Sequence, residues 1–350
     1  MPTEVSSVRS VRSSRLESVE FARGLAALAV CVFHFTKYLW PDDSVIRTVG
    51  SFGWAGVESF FVISGFIIPY ALQRSGYRLS SFARFVAKRY VRLAPPYLAA
   101  VALALVLWVV SGSMPGFRGE PFQFETGRVL AHALFLNDFL GIPWLNPVFW
   151  TLAIEFQYYL AIGILFPLLF SRSSIQNIVA VAAVASMAWL PGQEFLVSKW
   201  ALVFLVGVVL AQWRLARLGT IAACLLECLI LSLIWQHHGR VIFSASFLTL
   251  GLILAVRHVP RWGLWLGQLS YALYLVHVPV GGRVVNLGNR FADEEWSRWV
   301  VFSFAVASSF AAAWILFIKV ERPALAWSSR IKYSTSNGVP SGITTLTAQR

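Results

Sequence analysis

Charge is what this chain has least of: 13% of its 350 residues are charged and 57% are hydrophobic, where a soluble domain carries roughly one quarter charged residues. That shortage excludes a soluble globular protein. Acidic residues are scarcer still, 16 against 29 Lys+Arg, leaving a net charge of +13. In a soluble chain such an excess would suggest nucleic acid. Beside long apolar runs it fits basic loops kept on the cytoplasmic face of a membrane, and no nucleic-acid partner is expected. Cysteine is nearly absent. With three in the whole chain there is no disulfide framework, and Cys224 and Cys228, one helical turn apart in an apolar run, lack metal-ligand spacing. No metal centre is expected. The first apolar stretch is long enough to span and lacks a small-residue cleavage site, so a retained first helix is expected rather than a signal peptide.

What the chain does have is apolar segments long enough to cross a bilayer, near 20–39, 52–72, 93–111, 149–170, 177–191, 197–213, 219–235, 241–256, 262–281 and 299–319. The expected fold is an all-α polytopic membrane protein of about ten transmembrane helices in the cell (plasma or inner) membrane. A disordered basic tail is expected at 1–15, a transmembrane domain at 16–330 and a second disordered tail at 331–350. With the N-terminus inside, about two thirds of the 29 lysines and arginines fall on the cytoplasmic side, which also places the C-terminus there. The piece at 129–140 is too short to cross comfortably and reads as re-entrant or interfacial.

Ionisable residues inside such segments are costly unless they face a cavity or a partner, so each is a candidate functional group. Arg23 and His34 lie eleven residues apart in the first segment. At about 100° per residue they return to one helix face, about 17 Å apart along the axis, with Ala27 and Cys31 between them. Counting inward from the expected outer face, His34, Glu58, Glu155 and His277 from four different segments fall at one depth and are expected to line a common cavity. A helix-packing hydrogen bond is the competing reading for Glu58 and Glu155. For His277 it is packing in an aromatic belt with Tyr271 and Tyr274. On the cytoplasmic side Arg84, Lys88, Arg89 and Arg92 recur at spacings of three and four and form one basic stripe leading into A-P-P-Y. Such a stripe suits phosphate binding, or simple topological anchoring.

R-G-L-A-A-L-A-V-C-V-F-H-F at 23–35, G-V-E-S-F-F-V-I-S-G-F-I-I at 56–68, F-V-A-K-R-Y-V-R-L-A-P-P-Y at 85–97, F-W-T-L-A-I-E-F-Q-Y-Y-L at 149–160, L-S-Y-A-L-Y-L-V-H-V-P at 269–279 and V-E-R-P at 320–323 together resemble, in order, the signatures of the acyltransferase family 3 membrane O-acyltransferases. The resemblance implies transfer of an acetyl or similar short acyl group from acyl-CoA, a co-substrate and not a bound cofactor, to a hydroxyl of a carbohydrate or glycosylated acceptor. It matches Arg23 and His34 to the Arg-x10-His motif, Arg89 and Arg92 to Arg-x-x-Arg, and Glu155 to the acidic position of the fourth helix. Glu58 stands where the family usually has Asp, which puts a direct role for it in question.

The implied catalytic set is His34, Arg23, Glu155 and Glu58. Acyl-CoA binding falls to Arg89, Arg92 and Lys88, and a substrate cavity to His277 and Tyr274. A neutral imidazole suits general-base removal of the acceptor proton, and an acyl-histidine relay uses the same residues. Two readings from other classes remain: a transporter or flippase of lipid-linked sugars, and a non-catalytic membrane scaffold.

Overall fold

The computed structural model describes residues 3–114, 125–191 and 194–333, with side chains from Glu17 onward. The tails expected at 1–15 and 331–350 lie almost entirely outside the residues whose side chains are described. Every regular element among the described residues is helical.

The first half of the chain holds α1 (Thr3–Leu39), a short α2 (Val45–Ser51), α3 (Gly56–Arg74), α4 (Phe82–Gly112), α5 (Thr126–Leu134) and α6 (Trp150–Leu169). The second half holds α7 (Ser174–Ser186), α8 (Ala201–Arg214), α9 (Thr220–His238), α10 (Arg240–Ala255), α11 (Arg261–Val276), α12 (Arg283–Gly288), α13 (Glu295–Leu316) and α14 (Arg322–Arg330). A π-helical turn at His277–Gly282 joins α11 to α12. Seven helical stretches are long and apolar enough to cross a bilayer: Glu17–Leu39, Val45–Arg74, Leu79–Gly112, Trp150–Leu169, Val197–Arg214, Thr220–His238 and Glu295–Arg330. Ser174–Trp189 and Arg240–Ala255 are apolar but shorter. Together with α11 and its π turn, a helix occupies each of the ten apolar segments read from the sequence.

A helix that is apolar all round belongs inside, and one with an apolar stripe belongs at the rim. α8 is the first kind, with Ala201–Gln212 buried without a break. It lies against α3 in backbone contact: a Cβ on Gly65 would meet Phe204 O at 2.1 Å, and one on Gly207 would meet Val62 O at 2.1 Å. Without side chains at the crossing, the two backbones touch, the usual device for packing helices in lipid. α1 and α11 meet the same way, since a Cβ on Gly267 would lie 2.2 Å from Glu20 O. That contact sets the lower part of α1, with Glu20 and Arg23, beside Tyr271. α9 and α13 form the lipid-facing rim, with 22% and 17% of their apolar windows buried.

The 129–140 segment holds no helix long enough to cross a bilayer. α5 is nine residues long, about 14 Å, and Phe135 ends it with a left-handed backbone (φ 57°). It re-enters between helices. Its His132 is fully buried and its Nδ1 shares a 2.7 Å hydrogen bond with Tyr97 Oη of α4, and Tyr90 Oη donates to Ala133 O at 3.0 Å. The chain therefore arrives at α6 from deep within the bundle, where Phe149, wholly buried, packs edge-on to Tyr97 at 4.9 Å.

Candidate active site

α1, α3, α4, α6, α11 and the turn before α14 converge on a cavity of about 210 Å³ lined by Glu20, Arg23, Ser64, Arg89, Arg92, Glu155, Tyr159, Tyr271, Tyr274 and Glu321. Six of these are charged, three of each sign. Among the described residues none of the six closes an ion pair with another, although Glu20, Glu155 and Glu321 all lie within electrostatic range of Arg23. Charge held near balance without an ion pair among the six leaves the guanidinium groups available to a ligand entering the cavity.

Each charge is placed by its helix. Arg89 is 7% exposed, its guanidinium set 5.5 Å from the Phe85 ring and 5.6 Å from the Tyr159 ring, with Nε unpartnered. Arg92, one turn on, is exposed to the cavity. Glu155 is fixed through Oε1, which accepts from Tyr159 Oη at 2.5 Å and Ser64 Oγ at 3.2 Å. Tyr159 sits one turn after Glu155, the spacing that lets a helical side chain reach back. Tyr271 donates to Leu93 O at 2.7 Å, tying α11 to α4.

The single layer expected for His34, Glu58, Glu155 and His277 is not formed. Glu155 belongs with Arg23, Arg89 and Arg92, because α6 starts against Tyr97, partway along α4. His34, Glu58 and His277 do not line the cavity. His34 and His277 form a separate pair, with ring centroids 5.2 Å apart. Glu58 is 1% exposed with Oε2 unpartnered. Tyr274 stands between the two groups: it lines the cavity, its ring lies 5.8 Å from that of His277, and its hydroxyl is pinned by Thr151 Oγ1 at 2.7 Å and Val148 O at 3.0 Å.

Lys88 is also drawn elsewhere. Its ammonium lies 5.0 Å over the ring of Tyr333, in a segment that folds back after α14. Tyr333 O accepts from Ser81 Oγ at 2.8 Å and from Arg84 Nη1 at 3.3 Å. Burial pushes the Tyr333 hydroxyl above its ordinary pKa, against the opposing pull of Arg89 and Arg92. Arg84 and Lys88 are thus occupied by this segment, Arg89 touches Tyr333 as well as lining the cavity, and Arg92 opens into it.

A family model for an acyltransferase domain matches residues 16–318. The chain belongs to this acyltransferase family. The match runs from the start of the membrane-spanning part of α1 through α13, so every cavity residue except Glu321 falls within it. This acyltransferase is 26% identical over 359 residues to nodulation protein 10 of Rhizobium leguminosarum bv. viciae, covering 89% of the present chain and 94% of that protein. It is 26% identical over 317 residues to a putative peptidoglycan O-acetyltransferase of Bacillus subtilis, covering 74% of the chain and 47% of the relative. With a peptidoglycan O-acetyltransferase of Listeria monocytogenes the identity is 27% over 162 residues, or 43% of the chain and 24% of the relative. The acyltransferase therefore spans about half the length of the Bacillus protein and a quarter of the Listeria one. No solved structure matches it significantly. With its apolar helices, the acyltransferase is a multi-pass membrane protein.

Four cavity residues escaped the sequence reading: Glu20, Ser64, Tyr159 and Glu321. Glu20 lies three residues before Arg23, on the same helix face. Ser64, Tyr159 and Glu321 sit inside three of the quoted motifs, and their roles become visible only when the helices are assembled.

Proposed function

We propose that the protein transfers an acetyl or similar short acyl group from acyl-CoA to a hydroxyl of a carbohydrate or glycosylated acceptor. The observation carrying this reading is the cavity lined by Arg23, Arg89 and Arg92 beside an anchored Glu155. A CoA nucleotide presents phosphates that need several guanidinium hydrogen bonds, and Arg89 and Arg92 supply them. Lys88, held over Tyr333, is released to the donor only if that segment moves. The relatives named as peptidoglycan O-acetyltransferases support a polymeric carbohydrate acceptor.

The topology in this proposal has ten spans, both termini cytoplasmic, in the plasma membrane. The basic start of α4 and the cavity mouth then face the cytoplasm, where acyl-CoA is found. Arg23 and His34 are separated by about 17 Å along α1, a length the pantetheine arm of CoA can cover. The nucleotide stays at the arginines and the thioester advances past Tyr274 to His34. There the imidazole takes the acceptor hydroxyl proton as the oxygen attacks the thioester carbon. The C–S bond breaks, and the proton passes to the departing thiolate.

Purified full-length protein supplied with labelled acetyl-CoA and a panel of hydroxylated glycans tests the reading. CoA release with label in the glycan is the expected result. Movement of glycan across proteoliposomes without any CoA-dependent transfer would replace the enzyme with a carrier.

A further inference from the structure

His277 is the first residue of the π-helical turn, and wide turns of this kind inside helices frequently mark functional sites. Its sequence explains the turn. Pro279 has no N–H to give Leu275 O four residues earlier, and that carbonyl accepts from Asn146 Nδ2 at 3.4 Å instead. The helix widens, and the His277 ring is carried toward α1.

The imidazole is wholly buried. Its Nδ1 lies 2.8 Å from Tyr274 O and 3.1 Å from Leu273 O. Carbonyls only accept, so Nδ1 carries the hydrogen and the neutral ring presents a lone pair at Nε2. That Nε2 is buried with no hydrogen-bond partner among the described residues. Buried acceptors are rarely left unsatisfied without a reason. Nδ1 bonds back to its own helix, which leaves Nε2 for a neighbour, and α1 brings the His34 ring to 5.2 Å, centroid to centroid, closer than the rings of Tyr274 at 5.8 Å and Phe35 at 6.4 Å. The packing there has no slack, because a Cβ on Gly281 would lie 2.3 Å from Ser309 Oγ and 2.4 Å from Phe35 Cζ.

We infer that His277 is a positioning residue for His34: a turn of the half-buried His34 ring brings one of its N–H groups onto the unused Nε2 lone pair of His277 and leaves the other nitrogen free as the base. The inference rests on the proposed role of His34. His277 occupies the place that a carboxylate fills in a catalytic triad, holding tautomer and orientation without itself changing protonation. With that bond made, the imidazolium formed when His34 takes the acceptor proton is stabilised through it. The proton later leaves His34 for the CoA thiolate, so both rings return to their starting states.

The two isosteric amides separate this role from packing. His277→Asn keeps a donor near the position of Nδ1 and removes the group facing His34, and His277→Gln places an amide oxygen near the position of Nε2. Both are measured in the full-length protein by the turnover number for CoA release, with donor affinity from titration of a non-hydrolysable acetyl-CoA analogue. His277→Asn should lower turnover on the order of 100-fold with donor affinity unchanged, and His277→Gln should recover at least about tenfold of that loss. Equal losses in the two variants, or losses matched by weakened donor binding, would make His277 a packing residue. His34→Ala serves as the reference. If it turns over normally, the catalytic reading of His34 falls and the pair falls with it. If it is inactive while His277→Asn stays within threefold of wild type, only the pairing is overturned.

Discussion

Replacing Arg92 with alanine isolates donor recognition from folding, because of how differently the two arginines of the stripe are seated. Arg92 is exposed to the cavity, so its truncation removes charge from a space already open to solvent and leaves no unfilled core. Arg89 is 7% exposed and stacked between Phe85 and Tyr159. Its truncation removes packing as well as charge. A hydrogen bond to a charged group contributes about 1.5–3 kcal/mol. At 1.4 kcal/mol per factor of ten, Arg92→Ala should weaken acyl-CoA binding by about 10- to 150-fold with little change in thermal stability. Arg89→Ala should weaken binding by a similar factor and also lower stability by about 1–3 kcal/mol, from two lost cation–π contacts and the space left behind. Calorimetric titration of a non-hydrolysable acyl-CoA analogue into each detergent-solubilised variant, beside a thermal melt, measures both quantities. Unchanged donor affinity in both variants, with each still folded, would refute donor binding at the stripe and return these arginines to setting topology.

His34→Ala and His34→Gln should both stay folded and lose acyl transfer, since neither replacement has a titratable nitrogen; activity in the Gln variant, measured as CoA release, would make the role one of positioning. Gly207→Ala should destabilise the protein by about 1–3 kcal/mol, seen as a lower thermal midpoint, because its Cβ would lie 2.1 Å from Val62 O where neither backbone has room to yield. Tyr159→Phe, which deletes the 2.5 Å bond to Glu155, should lower turnover by about 5- to 20-fold with the fold intact, a loss read in the same release assay. Sidedness is tested by single cysteines at the exposed positions Asp43 and Ser80, in a background with Cys31, Cys224 and Cys228 replaced: Asp43→Cys should react with an impermeant thiol reagent on intact cells and Ser80→Cys only after the membrane is opened.

The helices were legible in the sequence because lipid demands long apolar runs, and every such run carries a helix. The wall of α1 was legible for the same reason: Ala27 and Cys31, on the face joining Arg23 to His34, are buried. Depth was not legible. Counting residues inward from Phe149 presumes that α6 begins at the membrane face, and it begins against Tyr97, about 22 Å along α4 from Gly112. The re-entrant α5 carries the chain inward, and the cause is tertiary: a buried His132–Tyr97 bond and a left-handed Phe135. Glu155 accordingly sits with the arginines. Lys88 shows the limit of a periodic stripe, since spacing set its face correctly and the partner that fills it, Tyr333, lies 245 residues away in the chain.

The ring of Tyr274 has an electrical meaning. On one side of it stand six ionised or ionisable groups around a cavity of about 210 Å³, and on the other two imidazoles, of which His34 is only half-buried. A bilayer is an insulator, and a bundle with polar chambers stacked through its thickness conducts protons unless something dry interrupts them. Between the two groups stands the Tyr274 phenol, locked in place by Thr151 and the backbone of Val148. In the proposed reaction the acyl chain must pass this ring while protons do not, so a side chain held by two hydrogen bonds serves both the admission of substrate and the tightness of the bundle to ions.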